Sequence, residues 1–133
     1  MGATVLKAIG FWLLLVVLAI LNGALREKAL IPVLGPTGGL VISGISLSFL
    51  IFLVSWLAVP QFGALSASQY WFIGLLWLVM TVLFEFGFGH WIAGKPWNEL
   101  LAAYNISKGS LWVLVLLVTL ISPYVAARVS GYL

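Results

Sequence analysis

Apolar residues run along this chain in long blocks, and polar side chains gather in the gaps between them. A helix rises ~1.5 Å per residue and needs about 20 residues to cross a hydrocarbon core of ~30 Å. Residues 8–25, 40–59, 70–91 and 110–127 meet that requirement within a few residues at each end. The pattern predicts an all-α, polytopic membrane protein with four transmembrane helices, forming a single domain over residues 1–133. Pro32, Gly35, Pro36, Gly38 and Gly39 predict a turn between the first two helices, and Pro60 predicts a sharp end to the second.

The third connection carries its own pattern. After Pro96, the residues Trp97, Leu100, Leu101 and Tyr104 recur at helical spacing. This predicts a short amphipathic helix lying at the membrane surface, with Pro96 suited to its first turn.

Composition agrees with the pattern. Hydrophobic residues make up 64% of the chain and charged residues 7%. A soluble domain carries roughly 25% charged residues, so water cannot be the solvent around most of this surface. The basic residues are scattered singly with no interleaved aromatic patch, which argues against nucleic acid as a partner. With no cysteine and one histidine, a metal cage or thiolate site within one chain is not expected, and no cofactor is called for. No aspartate is present, which removes a Ser–His–Asp set. The Gly87-Phe88-Gly89 element ends an apolar helix and does not follow a strand, so it is not a phosphate loop. Lys7 before an apolar run resembles a signal peptide, but the run extends toward spanning length and predicts a retained helix. Leu6 stands where a myristoylation motif needs Ser or Thr.

Aromatic residues mark two expected belts. Trp12, Trp56, Tyr70, Trp71 and Tyr124 fall near one set of helix ends, and Trp91, Trp97 and Trp112 near the other. Trp77 fits neither belt and is expected inside the bundle. Arg26, Lys28, Lys95 and Lys108 flank two connections, against Lys7 and Arg128 on the opposite side. This excess places those connections in the cytoplasm and both termini in the periplasm.

Glu85 is the first candidate for chemistry. It lies about six residues inside Trp91, hence roughly 9 Å below that interface. Intramembrane acids generally face a partner or a water-filled cavity. Thr81, Leu78 and Gly89 share its helical face. It reads either as a protonatable or cation-binding site or as a structural acid held by an ion pair. Arg26, four residues after Asn22 and pointing the same way, is its natural partner; its alternative is to snorkel to phosphate headgroups. Glu85, Thr81, Asn22 and Arg26 are therefore the expected substrate or ion pathway.

His90, Tyr104, Asn105 and Lys108 are secondary candidates. His90 stands five positions from Glu85, about 140° around an ideal helix, so the two do not converge without a distortion at Gly87 or Gly89. It reads as an interfacial histidine bonding headgroups or backbone in preference to a metal or haem ligand. Asn105-Ile106-Ser107 matches a glycosylation acceptor formally, but its place beside the membrane favours a cap or turn role. On helix two, Gly39, Ser43 and Ser46 line one face and Gly44 and Ser48 another. These read as close helix packing or, alternatively, as a narrow polar path.

The stretch Phe84-Glu85-Phe86-Gly87-Phe88-Gly89-His90, with Tyr104-Asn105, Gly109-Ser110-Leu111-Trp112, Asn22-Gly23 and Arg26-Glu27, resembles a pattern in small bacterial four-helix membrane proteins. The resemblance covers most of the chain and implies a bacterial inner-membrane setting, without an activity. The plan of the small multidrug exporters, with an essential acid in helix one, is not met, and no fluoride-channel signature is present. The expected function is a homo-oligomeric transporter or channel with a polar site around Glu85. The alternatives are a non-transporting assembly or lipid-interacting subunit in which Glu85 and Arg26 are structural, and an enzyme acting on lipid headgroups through Glu85, His90 and Tyr104. Expected partners are the lipid bilayer and further copies of the chain.

Overall fold

The computed structural model describes residues 2–63, 65–92, 94–102 and 111–132, and every regular element among them is helical. Helix α1 spans Gly2–Leu25 and runs directly into a π-helical turn, Arg26–Leu30, and then into α2, Ile31–Phe62. Helix α3 spans Ala67–Phe86 and ends in a second π-helical turn, Gly87–Ile92. A short α4 covers Trp97–Ala102, and α5 covers Trp112–Val129. Among the described residues, three helical stretches are long and apolar enough to cross a membrane: Gly2–Phe62, Ala67–Ile92 and Trp112–Val129.

The first stretch has 61 residues and is bent. Gly35 takes φ 84° and ψ 167°, outside the helical region, while the residues on both sides remain helical. Two local causes combine there. Glycine reaches positive φ without a Cβ penalty, and the residue before a proline (here Pro36) is driven out of the α region by the proline ring. The chain then folds back on itself. Lys7 donates from Nζ to the Gln61 carbonyl at 3.0 Å, and the Phe11 and Phe62 rings meet edge-on at 5.8 Å. Near the bend, Asn22 bonds Ser43 and Ser46. The limbs on either side of Gly35 are thus antiparallel.

These contacts correct three sequence expectations. The connection over residues 26–39 is helical except at Gly35: Arg26–Leu30 bond in π geometry, and Pro32 follows directly at the start of α2. Pro60 does not end α2, which continues to Phe62 and stops at Gly63 with φ 79°. The expected third helix changes to π geometry at Gly87.

Helix α3 starts on a capping box. Ser66 Oγ accepts from the Gln69 amide at 3.3 Å, and Gln69 Oε1 accepts from the Ser66 amide at 2.8 Å. The four long limbs pack in a ring: α1 on α2, α2 on α5, α5 on α3 and α3 on α1. The α3–α5 crossing is very close, since a methyl group added at Gly74 would overlap the Leu120 carbonyl. Small residues permit such close approach of helix backbones.

The half of the bundle toward Lys7 and Gln61 is solidly filled. Ala8, Ala58, Val59, Tyr70, Ile73, Trp77, Ala126 and Ala127 are buried there. Trp77 lies inside, as its position between the belts implied, and its indole donates to the Ala8 carbonyl at 2.8 Å. Two aromatic assignments are overturned. Trp12 and Tyr70 are buried core residues, because each polar tip finds an inward acceptor: Thr81 Oγ1 for Trp12 at 3.0 Å, and the Gly63 carbonyl for Tyr70 at 2.7 Å. Trp56, Trp71 and Trp91 remain exposed as a belt requires. Many large apolar side chains also face outward, among them Leu6, Leu57, Leu83 and Val129.

Candidate functional site

Away from the filled half, the four long limbs spread around a cavity of about 600 Å³. Its position follows from the local chemistry. At the Lys7 end, alanines, glycine and interlocking aromatic rings draw the helices together. Toward the bend, Leu15, Leu47, Ile51 and Val115 wall a space that no large ring fills.

Asn22, Arg26, Thr81 and Glu85, the four residues singled out from the sequence, all line this cavity. Thr81, Glu85 and Gly89 contribute as one stripe of α3 and its π-helical end, the face expected from their spacing. Asn22 is buried and spans α1 and α2: Ser43 Oγ donates to its Oδ1, and its Nδ2 donates to Ser46 Oγ at 3.5 Å. Serines read mainly as packing residues therefore also satisfy a buried amide. Thr81 is held from α1 by the Trp12 indole.

Glu85 and Arg26 share the cavity, but Arg26 turns elsewhere. Its Nε lies 3.2 Å from Glu27 Oε1 in a solvent-exposed pair on the first π-helical turn. An adjacent, exposed carboxylate needs far less desolvation than one within the bundle. Glu85 Oε2 accepts from the Trp112 indole at 2.7 Å. This charge-assisted bond ties the end of α3 to the start of α5. Trp112 is thus a site residue that sequence reasoning placed in an aromatic belt. The signal for it was faint: an indole at the mouth of one helix and an acid near the end of another, with nothing in the spacing to relate them.

His90 goes outward. Its Nδ1 lies 2.8 Å from the Lys95 carbonyl, and its ring stacks on Trp97 at 3.9 Å between centroids. Trp91 meets both rings edge-on. The second π-helical turn supplies the distortion that convergence with Glu85 would need, yet it carries His90 to this aromatic cluster while Gly89 faces the cavity. Backbone bonding is one of the two interfacial roles expected of this histidine. Lys95 lines the cavity mouth with Arg26 and Glu27. Tyr104, Asn105 and Lys108 lie outside the described residues. Among the described residues, no group of three His, Asp or Glu side chains is placed to hold a metal ion.

Comparison of the chain with protein-family models, curated proteins and solved structures finds no match.

Proposed function

We propose that this chain is a four-span helical membrane protein that binds a solute in the cavity at Glu85 and carries it across the bilayer. The observation that carries the proposal is the Glu85 carboxylate on the wall of a cavity of about 600 Å³ within one chain. An acid at that depth is costly unless it serves a partner or a hydrated site. The bend at Gly35 supports two crossings from the 61-residue stretch, because its antiparallel limbs each exceed the ~20 residues a bilayer requires. The charged mouth at Arg26, Glu27 and Lys95, together with Lys28, favours a cytoplasmic opening with periplasmic termini in a bacterial inner membrane.

The close-packed half beyond Trp77 and Tyr70 favours a carrier over an open channel, since a solute must wait for that half to rearrange. The described lining of the cavity comes from one chain, and a homo-oligomer would bring several such cavities together.

The test is flux in proteoliposomes under an imposed proton or cation gradient. Glu85→Gln should abolish gradient-dependent uptake while leaving the protein folded, because glutamine keeps an oxygen that can accept the Trp112 bond. Full flux in the variant would remove Glu85 from transport.

A second reading has its own observation. The Glu85–Trp112 bond is a helix clasp, as a non-transporting assembly or lipid-interacting subunit would use. On that reading Glu85→Gln is silent, and only Trp112→Phe disturbs the protein.

A further inference from the structure

The identity of the solute follows from what surrounds the acid. Glu85 is set among aromatic surfaces: Phe84, Phe88 and Trp112 line the same cavity, and the Phe84 and Phe88 rings stack at 5.2 Å. Ring faces carry negative potential and attract cations, most strongly where water is excluded. Deeper in, the walls are largely aliphatic, through Leu15, Leu47 and Ile51. A small hydrated metal ion would leave those walls unused, whereas an organic cation with an apolar body would cover them.

The route of entry is also visible. Helices α1 and α3 hold each other through Trp77 and Ala8, through Trp12 and Thr81, and through the Trp12 and Phe84 rings. Past that point the cavity lies between them. Ile20 on one side and Phe88 on the other both line it and are both exposed, at 55% and 44%. Among the described residues, no side chain closes the α1–α3 seam at Ile20 and Phe88, on the side that faces lipid in the proposed membrane setting.

We infer that the cavity takes an apolar organic ammonium or phosphonium cation from the lipid phase through the α1–α3 seam, with its charge between Glu85 and the rings of Phe88 and Trp112. The inference rests on the cavity being the solute site and adds the class of solute. Among the described residues, the other charged groups lining the cavity are Arg26 and Glu27, which pair with each other, and Lys95.

The experiment is equilibrium binding of radiolabelled tetraphenylphosphonium to the purified chain in a non-ionic detergent. Tetraphenylborate, of similar shape and opposite charge, serves as competitor. Saturable binding at one cation per chain is expected, and the borate should not displace it. Glu85→Gln should weaken binding about tenfold or more, and Phe88→Leu about threefold through loss of a ring face. Lys95→Gln should tighten it by removing a like charge. Phe88 and Lys95 are exposed, so these two variants decide the matter should Glu85→Gln fail to fold. Equal displacement by the borate, no saturable binding, or unchanged affinity in the folded variants overturns the inference.

Added phosphatidylethanolamine separates two sources of the ammonium group. Displacement beyond that by phosphatidylglycerol assigns the site to a lipid headgroup, and its absence assigns it to a free cation. Binding without flux would sink the transport reading and leave this one standing. Flux without cation binding would do the reverse.

Discussion

The Trp112 indole at the start of α5 gives the Glu85 carboxylate on α3 a donor from a neighbouring helix. The indole donates to Oε2 at 2.7 Å, and a hydrogen bond to a charged group contributes about 1.5–3 kcal/mol. Trp112→Phe keeps an aromatic ring but removes the donor together with the five-membered ring of the indole. Its expected cost is therefore about 1–3 kcal/mol, read as a lower thermal midpoint in detergent. Pairing it with Glu85→Leu should recover part of the loss, since the carboxylate that lost the indole bond is gone. An unchanged midpoint in Trp112→Phe would mean that water or another group replaces the indole at no cost. Asn22, Thr81 and Glu85 were legible in the sequence because a polar side chain within an apolar run stands out. Trp112 and Trp12 were not, because tryptophan suits both a headgroup layer and a core, and only the position of an acceptor decides between them.

At the scale of elements, glycine separates positions that hold helices together from positions that do not. Gly74 lies against the Leu120 carbonyl, whereas Gly10 has open space around its Cβ direction. Gly74→Ala should push α3 and α5 apart and destabilise the bundle by about 1–3 kcal/mol, the usual cost of forcing atoms into a packed core. Gly10→Ala should be neutral or stabilising by up to about 1 kcal/mol, through helix propensity alone. Denaturant titration of both variants by circular dichroism checks the contrast, and equal effects would refute a tight α3–α5 crossing. Helix content and approximate spans could be read from apolar run length. The continuity of α1 into α2 could not, because Pro32, Gly38 and Gly39 all favour a turn in isolation, yet the chain needs only one non-helical residue, Gly35, to reverse.

For the whole molecule, the antiparallel course of the limbs fixes which residues share an end. Lys7 meets Gln61 at one end, while Arg26, Glu27 and Lys95 meet around the cavity mouth at the other. The chain contains no cysteine, so single thiols can report topology without background. In intact cells, Ala3→Cys and Gln61→Cys should react alike with a membrane-impermeant maleimide. On the proposed inner-membrane orientation, Thr37→Cys and Lys95→Cys should react only after that membrane is opened. Opposite behaviour of Ala3 and Gln61 would show that the limbs around Gly35 do not both cross the bilayer.

The sequence by itself determined an all-helical chain with helices long and apolar enough to cross a membrane, their approximate extents, and the set of polar residues that need a reason to be there. Run length and the cost of unpaired polar groups are local quantities, so they can be read one segment at a time. Only the tertiary structure decided that Arg26 bonds Glu27, that Trp112 bonds Glu85, and that Asn22, Thr81 and Glu85 wall a common cavity in one half of the bundle while aromatic rings fill the other. These outcomes depend on how four helices lean against each other. That angle is set by the Gly74–Leu120 approach, the Asn22–Ser43 tie and the packing of Trp77, contacts between residues far apart along the chain that no spacing in it encodes.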